Sequence, residues 1–341
     1  MRSWLTGTLG MLALLPIAAS SVKADPVEDF YKGKTVRAII GYSVGGGYDT
    51  YTRVLAAHMG KHIPGNPTVV PENMPGAGSL KAANYIYNVA PKDGTVIGTF
   101  ARGLPMEPLI GNSSTQFDAS TFSWLGSISD EASVCVTGAD SKVKTWDHAK
   151  NINFTVAGEG SGSDPDIFAV MLKNLFDLKM RLVTGYPGTN EMTMAIERGE
   201  VDGRCGWSWN VLKQTKGQEL KDGKINVILQ LSLHQIEDLP NVPNVMGVTT
   251  TEEQREILKL VLARQVIGRP YAAPPGIPAG RLAALRKAFD ETMKDPAFLA
   301  DAKVAGIEID PVSGVEVEKL IKDIYATPKE DIAQARKVIA E

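Results

Sequence analysis

The sequence predicts an α/β fold in two lobes with a ligand cleft between them. Three observations carry that reading. Short apolar runs alternate with amphipathic runs of helical period, which favours parallel strands joined by crossover helices. Glycine-rich loops stand where several of those apolar runs end, and they fall into an early group and a later one. The chain, at 341 residues, is long enough for two domains of ordinary size, each with a buried core.

Residues 35–40, TVRAII, form a short apolar run ending at Gly41, the pattern of a buried strand. Asp49 then stands as a candidate N-cap. From there Tyr51, Val54, Leu55, His58, Met59 and His62 recur at helical spacing. The stretch PGNP at 64–67 stops this helix. Residues 68–70 predict a second strand, Ser79 opens a helix to about Asn88, and PKDG at 91–94 turns the chain into a strand at 95–100.

The second group begins with strands at 134–136 and 154–157. The latter runs into GEGSGSDP at 158–165, and then into a helix carrying Ile167, Val170, Met171, Leu172 and Leu175. A strand at 181–183, a loop at 185–190, a helix to Ile196 and a strand at 201–207 follow. The last third is helical, over 280–294, 296–305, 315–326 and 329–339. Glycine loops at the carboxyl ends of strands are where open α/β sheets bind ligands, and helix N-termini there attract anions.

Composition narrows the function. Apolar residues make up 43% and charged residues 22%, with a formal net charge of −3, so nothing marks a nucleic-acid or anionic-membrane surface. Met1 to Trp4 is a short basic region, 5–19 is mostly apolar, and Val22-Lys23-Ala24 places small residues at a cleavage site. A signal peptide over 1–24, export and a mature start near Asp25 are expected. The apolar run is short for a membrane span. Cys135 and Cys205 are the two cysteines. Export permits a disulfide between them, but their strand-like apolar contexts favour two free buried cysteines. Neither has a His or second Cys at metal-ligand spacing beside it, so the two cannot form a metal site alone.

Gly41-Tyr42-Ser43-Val44-Gly45 fits G-x-S-x-G, the serine-hydrolase elbow, in the strand-to-helix context that motif requires. The further demands fail. Val44-Gly45-Gly46-Gly47 separates Ser43 from the helix, and the last histidine, His234, has no hydrolase context. His58 and His62 share a helix face without the glutamate of H-E-x-x-H. Ser43 therefore reads as part of an anion-binding loop, and no enzyme activity is expected. No P-loop pattern occurs, and Glu159 inside GEGSG would repel a pyrophosphate.

The runs VRAIIGYSVGGGYDTYTRVLAAHM and VVPENMPGAGSLKAANYIYNVAPKDGTVIGTF resemble the periplasmic solute receptors of tripartite tricarboxylate transporters, the Bug-type receptors. The likeness continues through VTGYPGTNEMTMAIERGEVDGRCGW, LPNVPNV, APPGIPAGRLAALRKAFDETMKDPAF and AKVAGIEIDPVSGVEVEKLIKDI. It covers nearly the whole expected mature chain in order. It implies a type II periplasmic binding protein, with 25–128 plus 268–341 as one lobe and 129–267 as the other. It also implies capture of a small carboxylate (a di- or tricarboxylate, an aromatic acid or some amino acids). Delivery would be to a permease of one large and one small membrane subunit, by a monomeric receptor without cofactor.

Carried over by position, the first-lobe ligand loop is Ser43, Val44, Gly45, Gly46, Gly47, Tyr48 and Asp49, with Ala101 and Arg102 beside it. In the second lobe the resemblance implies Ser161, Gly162, Ser163 and Asp164, then Tyr186, Gly188, Thr189 and Asn190, with Trp207 closing the cleft. Arg102 departs from the commoner small residues and either grips a second carboxylate or is a solvated surface group. Asp164 either caps the helix starting at Pro165 or binds a ligand amine or hydroxyl. Arg204 lies in an alternating strand and can point out of the cleft. The acidic stretch 251–262 predicts a helix that the resemblance does not explain. A receptor for a sensor kinase is the alternative within the binding class, and a secreted hydrolase using Ser43 the alternative outside it.

Overall fold

The computed structural model describes residues 26–339, so the expected leader falls outside the described residues. In chain order the first elements are α1 (Pro26–Tyr31), β1 (Thr35–Ile40), α2 (Gly47–Met59), β2 (Thr68–Asn73), α3 (Leu80–Asn88) and β3 (Val96–Thr99). A short α4 (Glu107–Ile110) leads to β4 (Ser123–Ser127), after which the chain crosses to β5 (Ser133–Gly138). Next come α5 (Trp146–Asn151), β6 (Phe154–Ala157), α6 (Asp164–Phe176), β7 (Met180–Val183) and α7 (Thr189–Glu197). They are followed by β8 (Gly203–Ser208), α8 (Trp209–Lys221), β9 (Ile225–Leu231) and α9 (Glu252–Leu262). The chain returns through β10 (Pro270–Ala273), then α10 (Ala279–Thr292), α11 (Pro296–Val304), β11 (Val312–Ser313), α12 (Gly314–Tyr325) and α13 (Lys329–Ile339).

Two sheets result. One has the order β11-β4-β10-β3-β1-β2, the other β7-β6-β8-β5-β9. The expected parallel pairing holds for β1 with β2 and β3, and for β6 with β7 and β8. It does not hold elsewhere: β10 runs antiparallel to β3 and β4, and β5 antiparallel to β8 and β9. Each of those antiparallel strands adjoins a segment where the chain crosses between sheets. The crossings run side by side, with Ile128 N–H donating to Arg269 O (3.1 Å) and Glu131 N–H to Gln265 O (3.0 Å).

Alternation along β1 builds two cores. Val36 and Ala38 face a cluster with Tyr51, Leu55 and Met59 of α2, whereas Ile39 faces Ala83 and Ile86 of α3 on the opposite side. Full burial of one such aliphatic side chain contributes about 1.5–3 kcal/mol. Asp49 is not the N-cap of α2, because Gly46 holds that position. Asp49 instead accepts from Gly45 N–H (2.8 Å), Asn73 Nδ2 (2.8 Å) and Arg53 Nε (2.9 Å), tying the loop to β2.

The acidic helix finds a packing role. Thr251 caps α9 by accepting from Gln254 N–H, and Ile257, Leu258, Val261 and Leu262 are buried in the core of the second sheet. That core also buries Ile339 of α13. Cys135 and Cys205 are not free, contrary to what their apolar contexts suggest: they stand directly opposite each other on β5 and β8 and are joined by a disulfide.

Candidate functional site

The glycine loops of the two sheets meet in one buried pocket. It is lined by Tyr42, Gly46, Gly47 and Tyr48 from the start of α2, and by Ala101 and Arg102 beyond β3. From the second sheet come Glu159, Asp164, Pro165 and Thr189, then Arg204, Gly206, Trp207 and Ser208 of β8 and Val211 of α8. Arg269, from the second crossing, completes the wall, and the cavity measures about 50 Å³. Four helices begin at this wall, α2, α6, α7 and α8, so their unpaired N–H groups and positive dipole ends converge on it.

Close approach explains the glycine of the first loop. A Cβ on Gly47 would lie 2.9 Å from Val211 Cγ2 and 3.0 Å from Arg269 Nη2. Gly45 also needs its left-handed φ of +83°.

Arg102 is a buried cross-cleft residue. Its Nε donates to Asp164 Oδ2 (2.7 Å), its Nη2 reaches the same oxygen, and Nη2 also donates to Ser133 Oγ (2.8 Å). Because both N–H groups converge on one oxygen, Asp164 Oδ1 and Arg102 Nη1 are buried without hydrogen-bond partners. Asp164 is thus an ion-pair partner rather than a cap. The cap-like role falls to Asp166, whose Oδ2 accepts from Glu159 N–H (2.6 Å), Gly160 N–H (2.9 Å) and Ser163 Oγ (2.9 Å).

Arg204 points into the cleft. It is 3% exposed, its guanidinium lies 4.9 Å from the Trp207 ring centroid, and its Nε and Nη1 have no hydrogen-bond partner. Glu159 faces it. Burial pushes the Glu159 carboxyl up to about 7, against the pull of Arg204 and with the repulsion of Asp166 and Asp164. Arg269 lies 4.5 Å and 4.9 Å from the ring centroids of Tyr48 and Tyr51. Its Nη2 is 2.8 Å from Glu131 Oε1, an ion pair off the hydrogen-bonding direction, while Glu131 Oε2 accepts from Ser208 Oγ.

Of the residues expected from the sequence, Gly46, Gly47, Tyr48, Ala101, Arg102, Asp164, Thr189 and Trp207 line the pocket. The others form its surroundings. Ser43 Oγ donates to Glu191 Oε2 (2.9 Å), and Asn190 Nδ2 donates to Val44 O (3.0 Å), so these residues bridge the lobes outside the cavity. Val44 itself is exposed, and Gly188 packs against Ser43. Ser161 Oγ donates to Glu107 Oε2 (2.8 Å), Gly162 packs on Glu107, and Ser163 is held by Asp166. Tyr186 belongs to a small apolar cluster with Ala157 and Met192, and Asp49 braces its own loop. Ser43 donates its hydroxyl to the Glu191 carboxylate and its backbone N–H to Pro187 O (3.3 Å).

Sequence reasoning missed the site roles of Glu159, Ser208, Val211 and Arg269 and left Tyr42 and Arg204 open. Arg269 and Glu131 carry no local signal, because crossings far apart in the chain bring them together.

The family model described as tripartite tricarboxylate transporter family receptor matches residues 51–337. The solved structure of the periplasmic binding protein BugD superposes with a TM-score of 0.72 at 21% identity, covering 91% of this chain and 99% of that one. MatC from Rhodopseudomonas palustris, solved with bound malate, gives 0.69 at 19% identity over 90% and 99%. Another R. palustris protein, solved with adipate, gives 0.67 at 15% identity over 90% and 98%. A curated UPF0065 protein of Agrobacterium vitis is 27% identical over 227 residues, and one of Cupriavidus necator 31% over 140. The matches span 62% and 41% of these curated relatives' lengths, and 64% and 41% of this chain.

Proposed function

We infer the function from one premise: the chain belongs to the family of tripartite tricarboxylate transporter receptors, periplasmic solute-binding proteins of two lobes. On that premise it captures a small carboxylate in the pocket between its sheets and delivers it to a permease of one large and one small membrane subunit. The lobes are 25–128 plus 268–341 and 129–267, they close about the paired crossings, and the leader at 1–24 directs export.

The observation that carries this reading is Arg204, whose unpartnered Nε and Nη1 are buried in a pocket where four helices begin. Each of these nitrogens shares a guanidinium edge with Nη2, and such an edge offers a carboxylate two parallel charge-assisted hydrogen bonds, while helix N-termini add positive potential. The malate and adipate carried by the similar structures are carboxylates too.

The test is a thermal-shift and calorimetric screen of the chain from Asp25 onward against small carboxylic acids, with neutral esters and sugars as controls. A ligand at a hundred times its dissociation constant adds about 2.7 kcal/mol to the folded state. Binding of acids alone, lost in Arg204→Gln with the fold retained, is the expected result. Binding confined to sugars or esters, or unchanged acid affinity in Arg204→Gln, would refute it.

A further inference from the structure

We propose that the pocket selects a small zwitterion, a carboxylate bearing an ammonium group on the same short skeleton, over a dicarboxylate, an inference that rests on the carboxylate-receptor reading above. Two independent observations carry it: the charges in and just behind the pocket wall are balanced once Glu159 is ionised, and its buried unpartnered atoms include an acceptor as well as donors.

The guanidiniums at the wall are those of Arg102, Arg204 and Arg269, and the carboxylates at the wall are those of Glu159 and Asp164. Glu131 supplies the third negative charge, in contact with Arg269 from behind. Arg264 and Glu107, two further buried groups of opposite charge, stand outside the lining, and Arg264 acts on Asp164 as well as on Glu107. Asp166, outside the lining, adds a further negative charge whose oxygens accept from backbone N–H groups and two hydroxyls. A dianion entering this enclosure would leave its own charge uncompensated in a site with little water, which is the costly arrangement. A molecule with no net charge adds none.

The hydrogen-bonding atoms say the same in local terms. Arg204 Nε and Nη1 and Arg102 Nη1 are donors in want of acceptors, and because Nε and Nη1 lie on different edges of the Arg204 guanidinium a carboxylate meets one of them together with Nη2. Asp164 Oδ1 is an acceptor in want of a donor. A second carboxylate has no proton to give it and would repel it, whereas an ammonium satisfies it. Glu159, on the same wall, favours the same partner, since a neighbouring cation holds its carboxyl ionised. The cavity of about 50 Å³ limits the skeleton to a short one.

The experiment is isothermal titration of the chain from Asp25 onward with acids paired so that each pair differs only in the amino group. The pairs are L-alanine with propionate, γ-aminobutyrate with butyrate, L-aspartate with succinate, and L-glutamate with glutarate. The expected result is that the amino member of each pair that binds does so at least tenfold more tightly. Equal or tighter binding by the desamino member refutes the proposal and leaves the carboxylate-receptor reading standing. Failure of all eight acids refutes the zwitterion proposal, and the wider acid screen above then decides the carboxylate-receptor reading. Asp164→Asn is expected to shrink the preference to under threefold while binding of the desamino acids stays within tenfold. A full preference in a folded Asp164→Asn protein refutes the role of Oδ1, and if that variant does not fold, the wild-type pairs decide alone.

Discussion

Glu159→Gln tests the electrostatics of the pocket through stability. The side chain is 7% exposed, and burial raises its carboxyl from 4.5 to about 7, with Asp166 and Asp164 adding to the rise and Arg204 and the Tyr42 hydrogen bond opposing it. The sign follows from linkage. Between about pH 4.5 and pH 7 the folded chain holds a proton that the unfolded chain has released, so stability falls as pH rises through that window. Each unit of difference corresponds to 1.36 kcal/mol, so the full loss is about 3 kcal/mol, present at pH 8 and absent below pH 4.5. Glutamine keeps the shape and cannot ionise. Urea unfolding followed by tryptophan fluorescence from pH 4.5 to pH 8 gives the stability of both proteins at each pH. Asp130, Asp290 and Glu308 also have raised carboxyls, but they are shared and cancel in the difference. The expected result is a variant that gains on the wild type by about 3 kcal/mol from the acid to the alkaline end. Parallel curves would refute the placing of a desolvated, titrating carboxyl at this wall.

Gly160→Ala probes closure. A Cβ there would lie 2.6 Å from Gly78 N and 2.8 Å from Ala77 C, backbone atoms of the opposite lobe that cannot step aside while the cleft is shut. The variant is expected to fold, to bind its acid at least thirtyfold more weakly and to show a larger radius of gyration by X-ray scattering; wild-type affinity would remove this contact from the closing surface. Reduction of the Cys135–Cys205 disulfide opens a link between residues 70 apart in the chain, worth about 4 kcal/mol by loop-closure entropy. A lower melting temperature in dithiothreitol is expected, and alkylation of both cysteines in untreated, denatured protein would show that the bond does not form.

Legibility in the sequence followed the range of the interaction. The helical stripe of α2 was readable because Tyr51, Leu55 and Met59 sit on one face within thirteen residues. The capping of α9 by Thr251 is equally local. In contrast α8 mixes Lys213, Gln214, Lys216 and Gln218 with few apolar positions and shows no clear face, so it passed unseen. Strand alternation placed Arg204 on one of two faces without saying which, since that depends on what packs behind the sheet. Asp164 and Asp166 are two residues apart and chemically alike. Only the position of Arg102 on the other lobe decides which one is the ion-pair partner and which one secures the loop.

That partition also bears on how the receptor can work. Arg102 comes from the first lobe and Asp164 from the second, so their ion pair is itself a closing contact. Gly78 N–H to Glu159 O, Ser43 to Glu191 and Ser161 to Glu107 are others. A ligand shifts the open and closed populations only by what it adds to the closed form beyond these contacts. In this pocket the addition lies in the partners that the protein leaves unmet, the free edges of Arg204 and Arg102 and the free oxygen of Asp164. Affinity should therefore depend on how many of those atoms a solute satisfies at once, more than on the apolar area it buries, and a solute that meets only the donors should close the cleft less completely than one that meets the acceptor as well.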